Sequence, residues 1–449
     1  MGFLDKLFNF GKADDERNTN PSVASVNIKM GRYSDNNKTV AKTNKWYEAE
    51  DLYKEKKYNE SIEAFFDYLR DDVEDNVRLT KISESTYSFE IYQGTKIVHG
   101  QINLNEVTAQ VSLAQMEKGL IPVMRRLLEM NYTLFYARYA LHDNRLCMLF
   151  DSSREIASPN KLYYGLKELA TKADKQDDLL VSDFASLKAI DDSHVVQFTE
   201  QEKETKYKYF VFWIESTLKK IEELNQDSFS GGIAYMFLSL IYKLDFLITP
   251  EGKLLNEIER INNLYWLNKE DKTAVERNQL LKDAFQKLLL WDKAEVLKYF
   301  YRAKATFSVN APKPQQVLTD GVRSALDNMQ WYKDNKHFDI ANTVMEYGIA
   351  YCQYSYSLPK PLTDLFTLYM HINYSAYFEE LGFTERYYNQ HTFKMSEIKS
   401  RINFIINQAK EKYPLLAFNT DQLYFSSLVD FNISFLKQIE TFNFDNKQQ

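Results

Sequence analysis

The chain has 449 residues, of which 44% are hydrophobic and 15% aromatic, so it carries enough apolar material for about two to four packed units. Its 13 glycines and 9 prolines are too few for turn-rich sandwiches and barrels, and helices are therefore favoured. A formal net charge of -7 argues against a nucleic-acid partner, because binding to phosphates requires clustered lysine and arginine. Cys147 and Cys352 have neither disulfide nor metal-site spacing, which predicts a reducing, cytoplasmic compartment.

Residues 1–12 predict a short amphipathic helix without the basic leader and long apolar stretch of a secretory signal. Four apolar side chains share one face of it: Phe3, Leu4, Leu7 and Phe8. They have no core of their own to join, so we predict that they contact a membrane surface or a groove in a partner. Packing on the protein's own body and disorder are the alternatives. Residues 13–43 are polar and lack sustained periodicity, which predicts a flexible linker.

Residues 44–184 predict an α+β module that begins with a helical hairpin at Lys45–Arg70. This hairpin resembles a single tetratricopeptide repeat through four aromatic residues: Trp46, Tyr53, Tyr58 and Phe66. The small residues of that motif are replaced by Glu50 and Ser61, and no second copy follows directly. Because such repeats bury their faces by stacking, we expect this single unit to pack against the strands that come next.

From Val77 to Leu113 the hydrophobic period changes to two, which indicates an antiparallel meander of three strands with a turn at Gln93-Gly94. Met116–Met130 then predicts a helix that crosses a face of the sheet. A second hairpin follows around the turn His142-Asp143-Asn144, and another helix opens at Ser158-Pro159. The predicted order is helix, three strands, helix, two strands, helix.

This order, together with the apolar runs Gln110–Leu113 and Leu146–Phe150, resembles the YbjN family and its relatives, the type III secretion chaperones. The resemblance covers about residues 45–184 and rests on element order and apolar pattern. It implies a small twisted sheet with helices packed on one face. It also implies a surface that holds an extended segment of a client protein.

Residues 185–449 predict helices almost throughout, in two domains, 185–311 and 312–449, separated near Pro312 and Pro314. The most hydrophobic segment, Gly231–Tyr242, is closed by Lys243 and Asp245 and falls short of the roughly 20 residues that span a bilayer. It therefore predicts a buried helix. The sequence around Lys336–Ala341 echoes the turn of the first hairpin, which predicts another helical pair.

Motifs for nucleotide binding, nucleophilic catalysis and metal binding are absent from the sequence. The cluster Asp191-Asp192-Ser193-His194 has the residue types of a triad, but adjacent side chains rarely converge on one point. We therefore predict no cofactor, no bound zinc and no hydrolysis of nucleoside triphosphates. An enzyme with a dispersed site is a third alternative, which a polar pocket with convergent carboxylates would support.

Three tyrosines, Tyr347, Tyr351 and Tyr354, share a helical face and could stack on a sugar, a base or a peptide; packing in the core is the alternative. Taken together, these features predict a non-enzymatic, protein-binding adaptor or chaperone-like protein in a bacterial secretion or envelope-associated assembly. The alternative is a peripheral-membrane scaffold, recruited by the N-terminal helix to the inner face of the membrane. The expected partner is another protein, with no nucleic acid.

Overall fold

The computed structural model describes residues 28–31, 37–71, 74–117, 119–190, 194–267, 269–389 and 391–444. The predicted N-terminal helix, with Phe3, Leu4, Leu7 and Phe8, lies outside these residues. The chain folds into a sheet module, residues 40–189, followed by a helical body, residues 194–444. The coarse prediction of an antiparallel sheet with helices followed by a helical region is therefore confirmed.

The sheet module contains, in chain order, α1 (Val40–Lys54), α2 (Tyr58–Leu69), β1 (Val77–Lys81), β2 (Tyr87–Gln93), β3 (Lys96–Ile102), β4 (Glu106–Gln115), α3 (Ile121–Asn131), β5 (Arg138–His142), β6 (Arg145–Ser153), α4 (Pro159–Asp183) and β7 (Lys188–Ala189). All strand pairs are antiparallel, in the order β1-β2-β3-β4-β6-β5, with β7 beside β4. The meander before α3 therefore has four strands, one more than predicted. The missed strand, β1, is short and mostly polar, so its apolar alternation is weak.

Turn chemistry fixes the register of two hairpins. Gly94 has a φ of +57° in the turn between β2 and β3. Asp143 and Asn144 both have positive φ, which gives the two-residue turn that matches the twist of β5 and β6. The apolar face of the sheet packs on α4, where a Cβ on Gly165 would lie 2.3 Å from the Phe150 ring. A glycine at this position lets helix and sheet approach closely.

The helical body contains, in chain order, β8 (Val196–Gln197), α5 (Glu200–Glu222), α6 (Ser230–Lys243), α7 (Gly252–Trp266), α8 (Ala274–Leu288), α9 (Lys293–Leu297), β9 (Tyr301–Arg302), α10 (Gln315–Asp334), α11 (Phe338–Ser355), α12 (Lys360–Asn373), α13 (Ser375–Glu380), β10 (Tyr388–Asn389), β11 (Thr392–Phe393), α14 (Met395–Ala409) and α15 (Leu428–Glu440). Helix α6 lies in its centre and packs against α5, α8 and α11. A π-helical turn, Leu244–Ile248, extends it. By length and composition 230–248 could cross a membrane, yet 83% of its apolar window is buried inside the protein.

Four sequence predictions differ from the structure. Lys243 and Asp245 do not close the apolar segment, which continues as one helical stretch to Ile248, although its predicted burial is confirmed. Helical spacing in the sequence predicts one helix over Gln279–Phe300, but the structure breaks it before Asp292, which caps α9. One apolar core spans both sides of Pro312 and Pro314, and Pro314 is the N-cap residue of α10 within that body. The fourth difference is in α3, where helical spacing predicts that Leu128 faces inward, but its side chain is exposed.

The described part of the predicted linker is also packed. Met30 is buried in the core of the helical body, and the Gly31 N–H donates to the Phe246 carbonyl at 2.9 Å. Thr39 caps α1, because its hydroxyl accepts from the Lys42 N–H at 3.3 Å. The prediction of a flexible linker is therefore wrong for residues 28–31 and 40–43. Met30 packs in the core of the helical body, and Thr39 caps the helix that begins at Val40.

The predicted second helical pair is confirmed in α10 and α11. Both hairpins turn through a lysine in the left-handed conformation, Lys56 and Lys336, each with φ of +63°. The residue after each lysine donates its N–H to the carbonyl five residues earlier. Lys57 donates to Leu52 at 2.9 Å, and His337 donates to Tyr332 at 2.8 Å. This is the hydrogen-bond pattern of a Schellman turn, so the faint sequence echo reflects the same backbone geometry.

Candidate functional site

The predicted tyrosine face is half-buried and packs against the core of the helical body. The three rings do lie together: Tyr347 and Tyr351 stack at 5.7 Å, and Tyr354 lies 4.8 Å from the buried Tyr242. Trp266 of α7 covers Tyr351 from the other side at 6.3 Å. Burial raises the pKa of Tyr347 well above its ordinary value. This placement favours a packing role over an open binding face.

The sheet module and the helical body are joined by a strap, residues 303–310, that crosses the turn between β2 and β3. The Gly94 N–H donates to the Lys304 carbonyl at 2.8 Å. The side-chain oxygen of Gln93 accepts the N–H groups of Thr306 and Phe307 at 3.1 and 2.9 Å. The Phe307 side chain is buried in the core of the sheet module, where its ring meets Tyr163 edge to face at 5.6 Å.

Two carboxylates of α4 hold the same turn from the opposite side. Asp174 accepts the Thr95 N–H at 2.9 Å, and Asp177 accepts the Thr95 hydroxyl at 2.7 Å. The buried Lys96 ammonium lies 3.0 Å from Asp177 and donates to the Ile190 carbonyl at 2.8 Å. These hydrogen bonds and the buried Lys96–Asp177 pair fix the turn between the two parts of the protein.

A cavity of about 290 Å³ lies beside this junction, and Asp174, Asp245 and Glu251 are among its lining residues. Burial, with Asp177 and Glu251 nearby, raises the pKa of Asp174 well above its ordinary value. Convergent carboxylates in a polar cavity are the feature that would favour an enzyme. Among the described residues, however, no group of histidine, cysteine and carboxylate side chains could hold a metal. The contact of Asp174 with Thr95 gives it a structural role.

A group of exposed apolar side chains lies on α3, on β5 and in the loop between them. We call it the α3–β5 patch, and its exposed fractions are 76% for Ile121, 64% for Leu128, 95% for Tyr132, 90% for Phe135 and 45% for Leu141. Val123 and Leu127 of the same helix are buried in the core. Helix α3 is therefore apolar on two faces, and only one of them is covered.

The backbone beneath the patch is fixed by hydrogen bonds. One carboxylate, that of Glu168 on α4, accepts three successive N–H groups, from Phe135 at 2.9 Å, Tyr136 at 2.6 Å and Ala137 at 2.9 Å. Charge-assisted bonds of this kind are stronger than neutral ones. The exposed rings of Tyr132 and Phe135 are therefore carried by an anchored loop, and a partner would meet a preformed surface.

The edge of β5 borders the patch. Its Tyr139 N–H points away from β6 and donates to the Asn131 side chain at 2.7 Å. By the alternation of antiparallel pairing, the Leu141 backbone groups also point away from β6, and no second strand pairs with β5 among the described residues. Part of this edge can accept an extended segment.

One arginine beside the patch lacks an ionic partner. Arg125 lies on the same face of α3 as Ile121 and Leu128, is exposed, and has no carboxylate within ion-pair distance in the described chain. By contrast, Arg126 lies 3.9 Å from Glu129, and Arg138 pairs with Asp151. The rim of the patch therefore offers positive charge, although the whole chain carries -7.

Sequence reasoning missed this surface because helical spacing assigned Met124 and Leu128 to the buried face with Val123 and Leu127. A signal was present: α3 has more apolar residues than one face can hold, and the apolar run Leu134–Ala137 follows it. Such an excess predicts an exposed contact surface. Compared with known proteins, the chain matches no family model and no curated protein sequence.

Proposed function

We propose that the protein is a non-enzymatic adaptor or chaperone-like protein that binds an extended polypeptide segment through the α3–β5 patch. The observation that carries the proposal is the group of exposed rings and aliphatic side chains held on an anchored loop beside a strand edge that no other described strand pairs with. An apolar surface of this kind gains free energy when a partner covers it. From the resemblance to the YbjN family and the type III secretion chaperones, we further propose that this activity serves a bacterial secretion or envelope-associated assembly.

The rim charges define the partner's chemistry. Because Arg125 has no carboxylate partner in the described chain, an apolar segment flanked by acidic residues complements the patch. A second copy of this chain would present the same arginine and would repel. The favoured occupant is therefore an apolar segment with acidic flanks from a different protein.

Binding to synthetic peptides tests this proposal. We expect peptides with an apolar centre and acidic flanks to bind, and peptides with basic flanks to bind at least tenfold more weakly. The double variant Leu128→Ser with Phe135→Ser should lose this binding. The matched control is Phe404→Ser with Tyr424→Ser, which removes two exposed apolar residues, 52% and 67% exposed, from the helical body.

Three outcomes would overturn the proposal. Equal affinity for acidic and basic flanks would remove the partner's stated chemistry. Equal loss in the control variant would show that no specific surface is involved. A concentration-dependent dimer that the patch variant abolishes would assign the patch to self-association.

The peripheral-membrane alternative depends on residues 1–12, which lie outside the described chain. Liposome flotation of the full chain against a variant lacking residues 1–27 tests it. The deletion should end before Ile28, because Met30 packs in the core and Thr39 caps α1. Flotation that disappears with the deletion, at unchanged thermal stability, would support membrane recruitment.

A further inference from the structure

A second cleft, of about 450 Å³, lies where five distant parts of the chain meet. One wall comes from the first hairpin, with Trp46 and Tyr68. The others come from the segment before α10, the segment after α11, and the ends that follow α14 and α15. Asn37 ties two of these parts together, because its side-chain amide donates to the Leu358 carbonyl at 2.9 Å.

Aromatic rings and prolines form much of the wall. The aromatic lining residues are Trp46, Tyr68, Tyr356, Tyr413 and Phe444, and the prolines are Pro312, Pro314 and Pro359. Several of the rings support each other: Trp46 lies 5.0 Å from Tyr68, and Tyr413 meets Phe444 edge to face at 5.2 Å. Rigid apolar walls of this type accept planar groups at little cost in side-chain entropy.

The charge of the cleft is positive. Lys38, Lys313 and Lys412 line it, and none of the described lining residues is acidic. Neither Lys313 nor Lys412 lies within ion-pair distance of a carboxylate in the described chain, whereas most lysines of the helical body do. In the junction cavity, by contrast, the lining cations Arg302 and Lys304 each approach a carboxylate.

Lys412 is the least compensated of these cations. Its ammonium donates to the Asn37 carbonyl and lies 5.3 Å from the centroid of the Tyr413 ring. Burial lowers the pKa of Lys412, and no nearby carboxylate opposes that shift. An ammonium that is half-buried without a counter-ion costs free energy, and an anion in the cleft would recover it. Lys313 stands over Tyr356 at 6.0 Å and is exposed at the mouth.

We propose that this cleft binds a small ligand that joins a multivalent anion to a planar ring, the chemistry of a nucleoside polyphosphate. The anion would contact Lys313 and Lys412, and the ring would lie against the aromatic and proline wall. No phosphate loop is involved, so the site binds the ligand without hydrolysing it. The inference is independent of polypeptide binding at the α3–β5 patch.

Calorimetric titration of the full chain with three probes, ATP, tripolyphosphate and adenosine, tests the site. We expect ATP to bind without added magnesium, tripolyphosphate to bind at least fivefold more weakly, and adenosine to show no measurable binding. Affinity for ATP should fall as salt rises from 50 to about 200 mM, because the contact is ionic. Absence of ATP binding at millimolar concentration would overturn the inference, and tripolyphosphate binding as tight as ATP would overturn its ring component.

Substitutions locate the binding. Lys313→Gln with Lys412→Gln should weaken ATP at least tenfold. Lys313→Gln alone should also weaken it, and this exposed, unpaired side chain can be replaced without loss of folding. The matched control is Lys360→Gln, which removes the same charge next to the cleft from a lysine already paired with Asp364 at 2.6 Å. Equal losses in the control and the cleft variants would overturn the site.

Discussion

Gln93 joins the two parts of the protein through one oxygen atom, and its removal makes a quantitative test of the junction. The side chain is buried, and its oxygen accepts two backbone N–H groups of the strap, from Thr306 and Phe307. In Gln93→Ala both N–H groups lose their acceptor. A buried donor without an acceptor costs about 1–3 kcal/mol, so the two together cost about 2–6 kcal/mol.

The lower end of that range is the expected result. Truncation to alanine leaves room in which a water molecule can satisfy one of the two donors. We therefore expect Gln93→Ala to lower the free energy of unfolding by about 2 kcal/mol or more. Denaturant unfolding measures the change. Hydrogen exchange at Thr306 and Phe307 should accelerate, while exchange in the centre of α6 should follow only the global loss.

The matched control for this prediction is Gln101→Ala. Gln101 is a glutamine at an exposed position of β3, on the open face of the same sheet. The substitution Gln101→Ala should change the free energy of unfolding by less than about 0.5 kcal/mol, as surface substitutions usually do. Equal effects of the two substitutions, or unchanged exchange in the strap, would refute the reasoning about the junction.

Two further predictions concern single residues. Gly94→Ala should destabilise the protein more than Gly119→Ala, as measured by thermal melting, because Gly94 has a φ of +57° and its Cβ would lie 1.6 Å from Asp174, whereas a Cβ on Gly119 meets nothing within 4 Å. Burial lowers the pKa of His371 from 6.5 to about 4, so the unfolded chain binds more protons between these values and stability falls as pH drops through that window, by about 3 kcal/mol. The variant His371→Gln should therefore lose less stability than the original protein as the pH falls from about 6.5 to about 4. Denaturant unfolding across this pH range measures the change, and the same pH dependence in both proteins would contradict the prediction.

Patterns confined to one element were predictable from the sequence. Alternation identified β2 and β4, the pair Ser158-Pro159 marked the start of α4, and the turn at Gln93-Gly94 was found from its residues. Each of these signals is local, because backbone geometry and capping depend on neighbours in the chain. The repeated lysine turn at Lys56 and Lys336 belongs to the same class.

Features that depend on tertiary packing were not predictable in the same way. In the sequence, Phe307 is a single apolar residue in a polar segment, which predicts nothing about its contacts. In the structure its side chain packs in the core of the sheet module, whose residues lie more than a hundred positions earlier in the chain. Met30 is similar, since its burial depends on the groove beside Phe246. The cleft brings residues of the first hairpin next to Lys412. These residues are hundreds of positions apart, so their spacing in the sequence does not predict that they meet.

The two proposed sites depend on the junction to different degrees, which gives a last test of how the molecule works. The α3–β5 patch is built from the sheet module alone and is anchored by Glu168 within it. The cleft has walls from both parts, with Trp46 on one side and Lys412 on the other. Loosening the strap by Gln93→Ala should therefore weaken ATP binding in the cleft and leave peptide binding at the patch unchanged. Reduced peptide affinity in this variant would show that the strap also shapes the patch, since a site responds to a distant change only through a coupled element.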